Sequence, residues 1–210
     1  MFSLRACAIS IRSNGSLWCV GNRIEIVQDD RGVHVTADGG PVQNFTGIQA
    51  ITVQTGYGND SVTFRTVSDP SERSGGVIDP NVRDVLLYAN LGDGNDVFNG
   101  DLQSSPDPCQ VMVIGGGGAD SINALIGLLS NATPAGNAQG AIDLSLNGGD
   151  GNDNIQSAIR NVNLNGRVTV DLQGGAGNDI VQQTLEMVKV NARLDTTLVT
   201  SDIDSKGWTN

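Results

Sequence analysis

Apolar residues recur at every second position in a series of short runs: Ile51 and Val53; Val85, Leu87 and Ala89; Val111 and Val113; Ile142, Leu144 and Leu146; Val168, Val170 and Leu172. In the last two runs the residues between them are polar, Asp143, Ser145 and Asn147, then Thr169, Asp171 and Gln173. A period of two marks a strand with one buried and one wet face. Each run leads into a glycine-rich bend ending in aspartate. Two residues beyond that aspartate an apolar residue returns: Val62, Phe98, Ile122, Ile155 and Val181. Each repeat therefore predicts a strand, a tight turn, a short strand and a loop.

The five bends are near copies: Thr55-Gly-Tyr-Gly-Asn-Asp60, Leu91-Gly-Asp-Gly-Asn-Asp96, Gly115-Gly-Gly-Gly-Ala-Asp120, Gly148-Gly-Asp-Gly-Asn-Asp153 and Gly174-Gly-Ala-Gly-Asn-Asp179. Their aspartates recur at intervals of 36, 24, 33 and 26 residues. The shortest interval suits one coil of a parallel β-helix, and the excess falls in segments with loop chemistry: Val67–Gly76, Ser104–Cys109 and Asn131–Gly140. A recurring unit of this length predicts a solenoid, because one repeat cannot bury its own apolar face and a stack can. Two or three side chains per coil, at about 1.5–3 kcal/mol each, would hold such a stack together.

The expected fold is therefore all-β, a right-handed parallel β-helix or β-roll-like solenoid forming one domain over residues 1–210. Residues 1–50 are expected as a divergent N-terminal capping coil in which Ile24, Ile26, Val33 and Val35 alternate. There Asn22 takes a motif-like place without a carboxylate. Residues 51–186 carry the motif coils. Residues 187–210 form a C-terminal strand, Met187–Leu194, and a tail.

Glycine at the second and fourth motif positions permits positive φ and clears the inside of the bend. Carbonyl oxygens can then converge, and the next coil brings a second turn about 4.8 Å away. Carboxylates and carbonyls in that number suit calcium, which takes six to eight oxygens, better than zinc. Two carboxylates about 5 Å apart repel by roughly 3 kcal/mol at an effective dielectric of 20, so a column of them asks for a cation. The competing reading is ordinary turn chemistry, since Asn and Asp side chains bond nearby backbone and end strands without any metal.

The segments Gly148-Gly-Asp-Gly-Asn-Asp-Asn-Ile155 and Gly174-Gly-Ala-Gly-Asn-Asp-Ile-Val181 resemble the repeats-in-toxin, or haemolysin-type, calcium-binding motif G-G-x-G-x-D-x-U-x, with U apolar. The resemblance implies Ca2+ held between stacked turns by Asp60, Asp96, Asp120, Asp153 and Asp179. It implies carbonyl donors at Gly56, Gly58, Gly92, Gly94, Gly116, Gly118, Gly149, Gly151, Gly175 and Gly177. Family members are typically exported from bacteria and fold where calcium is millimolar, so an extracellular or cell-surface location is expected. This chain departs from the family's nine-residue tandem spacing: it carries one motif per coil, with Thr55 and Leu91 in place of the first glycine and Ala119 in place of Asn.

The formal charge of −11 argues against a nucleic-acid backbone or anionic membrane as partner and suits a cation binder. No apolar run is long enough to span a bilayer. Arg5 and Arg12 interrupt any signal-peptide core. Cys7, Cys19 and Cys109 make no zinc spacing, and Cys7 and Cys19 would bridge only in an oxidising compartment. The expected protein is a monomeric calcium-binding module whose loops meet a cell-surface or polysaccharide partner. The alternative from another class is a β-helix enzyme acting on polysaccharide. For it, His34 lies on an outward strand face, the outward acids Asp143 and Asp171 are the candidate pair, and aromatics for sugar stacking are few.

Overall fold

The computed structural model describes residues 8–11, 16–20, 22–29, 32–67, 85–102, 109–127, 142–160, 163–164, 167–186, 189–190 and 194–199. Its described elements are all strands. One eight-stranded sheet contains, in spatial order, β1 (Ala8–Ile11), β2 (Ser16–Val20), β6 (Ala50–Tyr57), β8 (Val85–Asp93), β10 (Cys109–Gly117), β12 (Ile142–Asp150), β15 (Val168–Ala176) and β18 (Leu194–Val199). The other, again eight-stranded, runs β16 (Ile180–Glu186), β13 (Asn154–Arg160), β11 (Ser121–Gly127), β9 (Val97–Leu102), β7 (Ser61–Thr66), β3 (Arg23–Asp29), β4 (Gly32–Ala37) and β5 (Gln43–Phe45). A small pair joins β14 (Asn163–Leu164) to β17 (Lys189–Val190).

Each motif-bearing repeat contributes one strand to each large sheet, and the chain changes sheet at the glycine-rich bend. Neighbouring repeats pair parallel and in matched register, so that Val53, Ala89, Val113, Leu146 and Leu172 lie opposite one another in turn. Val62, Phe98, Ile122, Ile155 and Val181 do the same in the second sheet. Matched register lets the period-two pattern act once for the whole sheet: the inward ranks of apolar residues join one continuous core between the sheets.

Both ends differ from the expected pattern. The opening segment covers the edge of the second sheet as an antiparallel meander: β3 pairs parallel with β7, but β4 returns antiparallel on β3 and β5 on β4. Val33, Val35 and Ala37 still face the core, so alternation alone did not distinguish a hairpin from a parallel coil. A meander here keeps β3 from ending the sheet as a bare edge. At the other end the strand beside β15 is Leu194–Val199, displaced from the expected Met187–Leu194. The expected loops 68–76 and 131–140, most of the loop 104–109, Cys7 and Trp208 lie outside the described residues.

Candidate functional site in the stacked turns

The five bends lie level upon level. With motif positions numbered one to six, the position-four N–H donates to the position-three carbonyl of the following level: Gly58 to Asp93 at 2.8 Å, Gly94 to Gly117 at 2.7 Å, Gly118 to Asp150 at 2.7 Å and Gly151 to Ala176 at 2.6 Å. Backbone this close leaves no space for side chains. A Cβ on Gly151, where φ is +141°, would sit 1.6 Å from the Gly118 carbonyl oxygen. The carbonyls of Gly56, Gly58, Gly92, Gly94, Gly116, Gly118, Gly149 and Gly151 are each aimed along the stack, at the glycine in the same position of the next level.

The aspartates form a column, and they face inward. Asp60, Asp96, Asp120 and Asp153 are at most 2% exposed, while Asp179, at the last level, is half-buried. The carboxylates of Asp96, Asp120, Asp153 and Asp179 each reach back one level and accept a backbone hydrogen bond on Oδ1. Asp60 N–H donates to Asp96 at 2.7 Å, Asp96 to Asp120 at 2.8 Å, Asp120 to Asp153 at 2.8 Å and Asp153 to Asp179 at 2.9 Å. A second ladder runs the other way on the exposed side. Asn59 Oδ1 accepts from Asn95 N–H at 2.9 Å, Asn95 from Ala119 at 2.7 Å and Asn152 from Asn178 at 2.9 Å. Asparagine thus reaches forward and aspartate back, and an Asn-Asp pair clamps its level to both neighbours, as Asn95-Asp96 and Asn152-Asp153 do.

At least one oxygen of each buried carboxylate is left over, and at Asp60 both are. Oδ2 of Asp60, Asp96, Asp120 and Asp153 is buried and meets no hydrogen-bond donor. Burial therefore raises these acids above the usual carboxylate range. Asp60 and Asp120 rise to about 6, and Asp96 and Asp153 rise as well. Backbone N–H groups partly offset the rise at Asp96, Asp120 and Asp153, and neighbouring carboxylates add to it. At Asp60 the Thr55 hydroxyl opposes the rise, although its own hydrogen bond goes to the Leu91 carbonyl.

Position one completes the site, and the sequence reading overlooked it. It shares the inward face with the aspartate, and the strand register skips it between levels, passing from Ile114–Asn147 directly to Gly116–Gly149. A Cβ added to Gly115 would lie 2.3 Å from Asp120 Oδ2 and 2.4 Å from the Gly148 carbonyl oxygen. One added to Gly148 would lie 2.3 Å from Asp153 Oδ2 and 2.5 Å from the Gly174 carbonyl oxygen. Two oxygens from adjacent levels thus converge at each of these glycines, one of them an orphaned carboxylate oxygen. The donor set is all oxygen and anionic, which fits a hard cation. Among the described residues no three His, Cys, Asp or Glu side chains gather as a metal-binding group, so an ion here would depend on main-chain carbonyls as well.

A further overlooked residue closes the column. Asp38, in the left-handed region at φ 51°, accepts from the N–H groups of Asn22 and Arg23 at 2.9 and 2.8 Å. It supplies from the meander the carboxylate that the Asn22 level lacks. With that place taken, Asp60 Oδ1 has no donor to reach. The signal was the sequence Asp38-Gly-Gly-Pro41, a turn that favours positive φ.

The acids of the enzyme alternative, Asp143 and Asp171, lie on the paired strands β12 and β15, offset by two residues. Asp143 lies opposite Thr169, and Asp171 opposite Ser145, so the two acids are out of register; Asp171 instead accepts from Gln173 Nε2 at 2.9 Å. His34 lies on the outward face as expected, between Asn44 at 2.6 Å and Asp29 at 3.0 Å. An open groove of about 500 Å³ crosses the outer face of the second sheet, lined by amide and hydroxyl side chains, by Arg65, Asp101 and Arg160, and by Leu125 and Ala158. No family model matches the sequence, and comparison with curated proteins and with solved structures gives no significant similarity.

Proposed function

We propose that this chain is a calcium-binding β-solenoid, a right-handed parallel coil in which Ca2+ ions neutralise the buried aspartate column and tie successive levels together. The observation that carries the reading is the pairing of an orphaned carboxylate oxygen with a next-level carbonyl oxygen at Gly115 and again at Gly148. Asp120 and Asp153 would hold ions there, with the Gly148 and Gly174 carbonyls as partners. Asp60, Asp96 and Asp179 extend the same column. A bound ion would supply positive charge inside the stack; its role is folding and rigidity, not reaction chemistry. With an affinity of about 0.1 mM and calcium at about 10 mM, each independent site would add roughly 2.7 kcal/mol of stability. Millimolar calcium is extracellular, so the module belongs at or beyond a cell surface, where the groove on the second sheet faces a partner.

The test is thermal unfolding of the chain in chelator, in calcium and in magnesium. The expected result is a large rise in midpoint with calcium and little with magnesium, whose octahedral demand fits carbonyl turns poorly. A midpoint unchanged across all three would favour the second reading. In that reading the two ladders, whose aspartate bonds of 2.7–2.9 Å are already complete within the protein, hold the levels without an ion.

A further inference from the structure

We infer that the turns fall into two classes, and that of the four gaps between the five turns ions enter only at the two headed by Gly115 and Gly148. The levels headed by Thr55 and Leu91 are closed by their own side chains. This assignment rests on the calcium reading above and narrows it to a place and a number.

Position one is the inward residue nearest the aspartate carboxylate, and its identity decides whether a cavity exists there. At Gly115 and Gly148 the absent side chain leaves the aspartate Oδ2 and the next level's carbonyl oxygen facing a shared point. Asp120 and Asp153 are 2% exposed, and the oxygen each aims at that point has no partner. At the first level the place belongs to Thr55, itself buried at 4% exposure. Its hydroxyl donates to the Leu91 carbonyl, so the carbonyl that would face an ion already faces a proton. A β-branched side chain there acts as a covalent substitute for the cation. At the second level the place belongs to Leu91, fully buried, whose apolar side chain offers Asp96 Oδ2 no oxygen companion and would exclude a hydrated ion. At the last motif level Gly174 faces Asp179, and what would close a cradle there follows Val199, outside the described residues. Of the four gaps between the five turns, two hold a complete cradle.

The chain would therefore be built in two parts. The coils next to the N-terminal meander close without metal, and the coils after them close around it.

Calorimetric titration of the full chain with calcium chloride tests the assignment, with D179N as the reference so that the last level does not enter the count; its amide oxygen keeps the acceptor for Asp153 N–H. Two ions per chain are expected in D179N. Adding D120N or D153N, each of which keeps an Oδ1 acceptor for the ladder, should reduce the count to one, with affinity at the altered level at least tenfold weaker. Adding D60N or D96N should keep two. Four ions in D179N, or the loss of one ion on adding D60N or D96N, would overturn the assignment while leaving calcium binding intact. No binding heat and no calcium-dependent shift in midpoint would overturn the calcium reading itself. The count for D179N separates two from four however well the further variants fold.

Discussion

Asp153 serves two levels at once: its Oδ1 accepts the backbone N–H of Asp120 at 2.8 Å, 33 residues earlier, while its Oδ2 faces Gly148 in its own level. The first contact is structural and complete. The second is electrically unfinished, and the two can be separated by substitution.

Asp153→Ala removes both. It leaves the Asp120 N–H without its acceptor in a buried place, which costs about 1–3 kcal/mol. Asp153→Asn keeps an acceptor oxygen and removes the buried charge. In chelator, D153N should unfold at or above the temperature of the unaltered chain, and D153A clearly below it. With calcium the order reverses for D153N, which gains less from the ion. Differential scanning calorimetry of the three proteins, with and without calcium, checks both halves.

The raised acids give the metal-free chain a definite pH dependence. Asp60 and Asp120 titrate near 6 in the folded chain against an ordinary value of 3.8, and Asp96 and Asp153 shift the same way. A carboxyl group whose folded pKa is raised contributes stability that is fully present below 3.8 and is lost as pH rises through about 6. In chelator, the unfolding midpoint should therefore fall between pH 5 and pH 7.5. Saturating calcium, competing with protons at Asp120 and Asp153, should reduce that slope and leave the part that belongs to Asp60 and Asp96. A metal-free midpoint that rises with pH over this interval would contradict the burial of the column.

The repeats, the turns and the phase of the strands were legible in the sequence because one face of every strand is apolar. The inward direction of the aspartates is legible too: the two-residue step that buries Val62 and Phe64 also buries Asp60. The same step places Thr55 with Val53, and so makes position one part of the site. The antiparallel meander was not legible, since Val33 and Val35 alternate equally well in a hairpin and in a parallel coil. Asp38 was hidden for a related reason: its partners Asn22 and Arg23 meet it only once β4 has folded back.

Motif glycines are predicted to differ by level even at the same motif position. Gly58 and Gly94 both hold positive φ, at +112° and +152°. A Cβ on Gly58 would meet nothing within 4 Å, whereas one on Gly94 would lie 1.9 Å from the Gly58 carbonyl oxygen. Gly58→Ala should therefore cost only the backbone strain, about 1–3 kcal/mol. Gly94→Ala carries the same strain and must also push two levels apart, breaking the bond from Gly58 N–H to the Asp93 carbonyl. Denaturant unfolding should place G94A below G58A by at least about 2 kcal/mol, within the range of severe backbone and overpacking defects. Equal losses would show that the levels are not in close contact at this position.

The asparagine ladder has one gap, and filling it should stabilise the chain. Asn59, Asn95 and Asn152 each hand an Oδ1 to the N–H of the following level, but Ala119 has no oxygen to offer Asn152. Ala119 is exposed on the outer side of the turn, so an added amide displaces nothing from the core. Ala119→Asn supplies the missing acceptor in the rank where Asn95 and Asn152 already adopt the required geometry. One such hydrogen bond contributes about 0.5–1.5 kcal/mol. For a chain of this size that is a rise of roughly 1–6 °C in the unfolding midpoint. Because the asparagine side chain points away from the carboxylate column, the gain should be the same in chelator and in calcium. A gain that appears only with calcium would mean that the outer ladder and the inner column act as one unit.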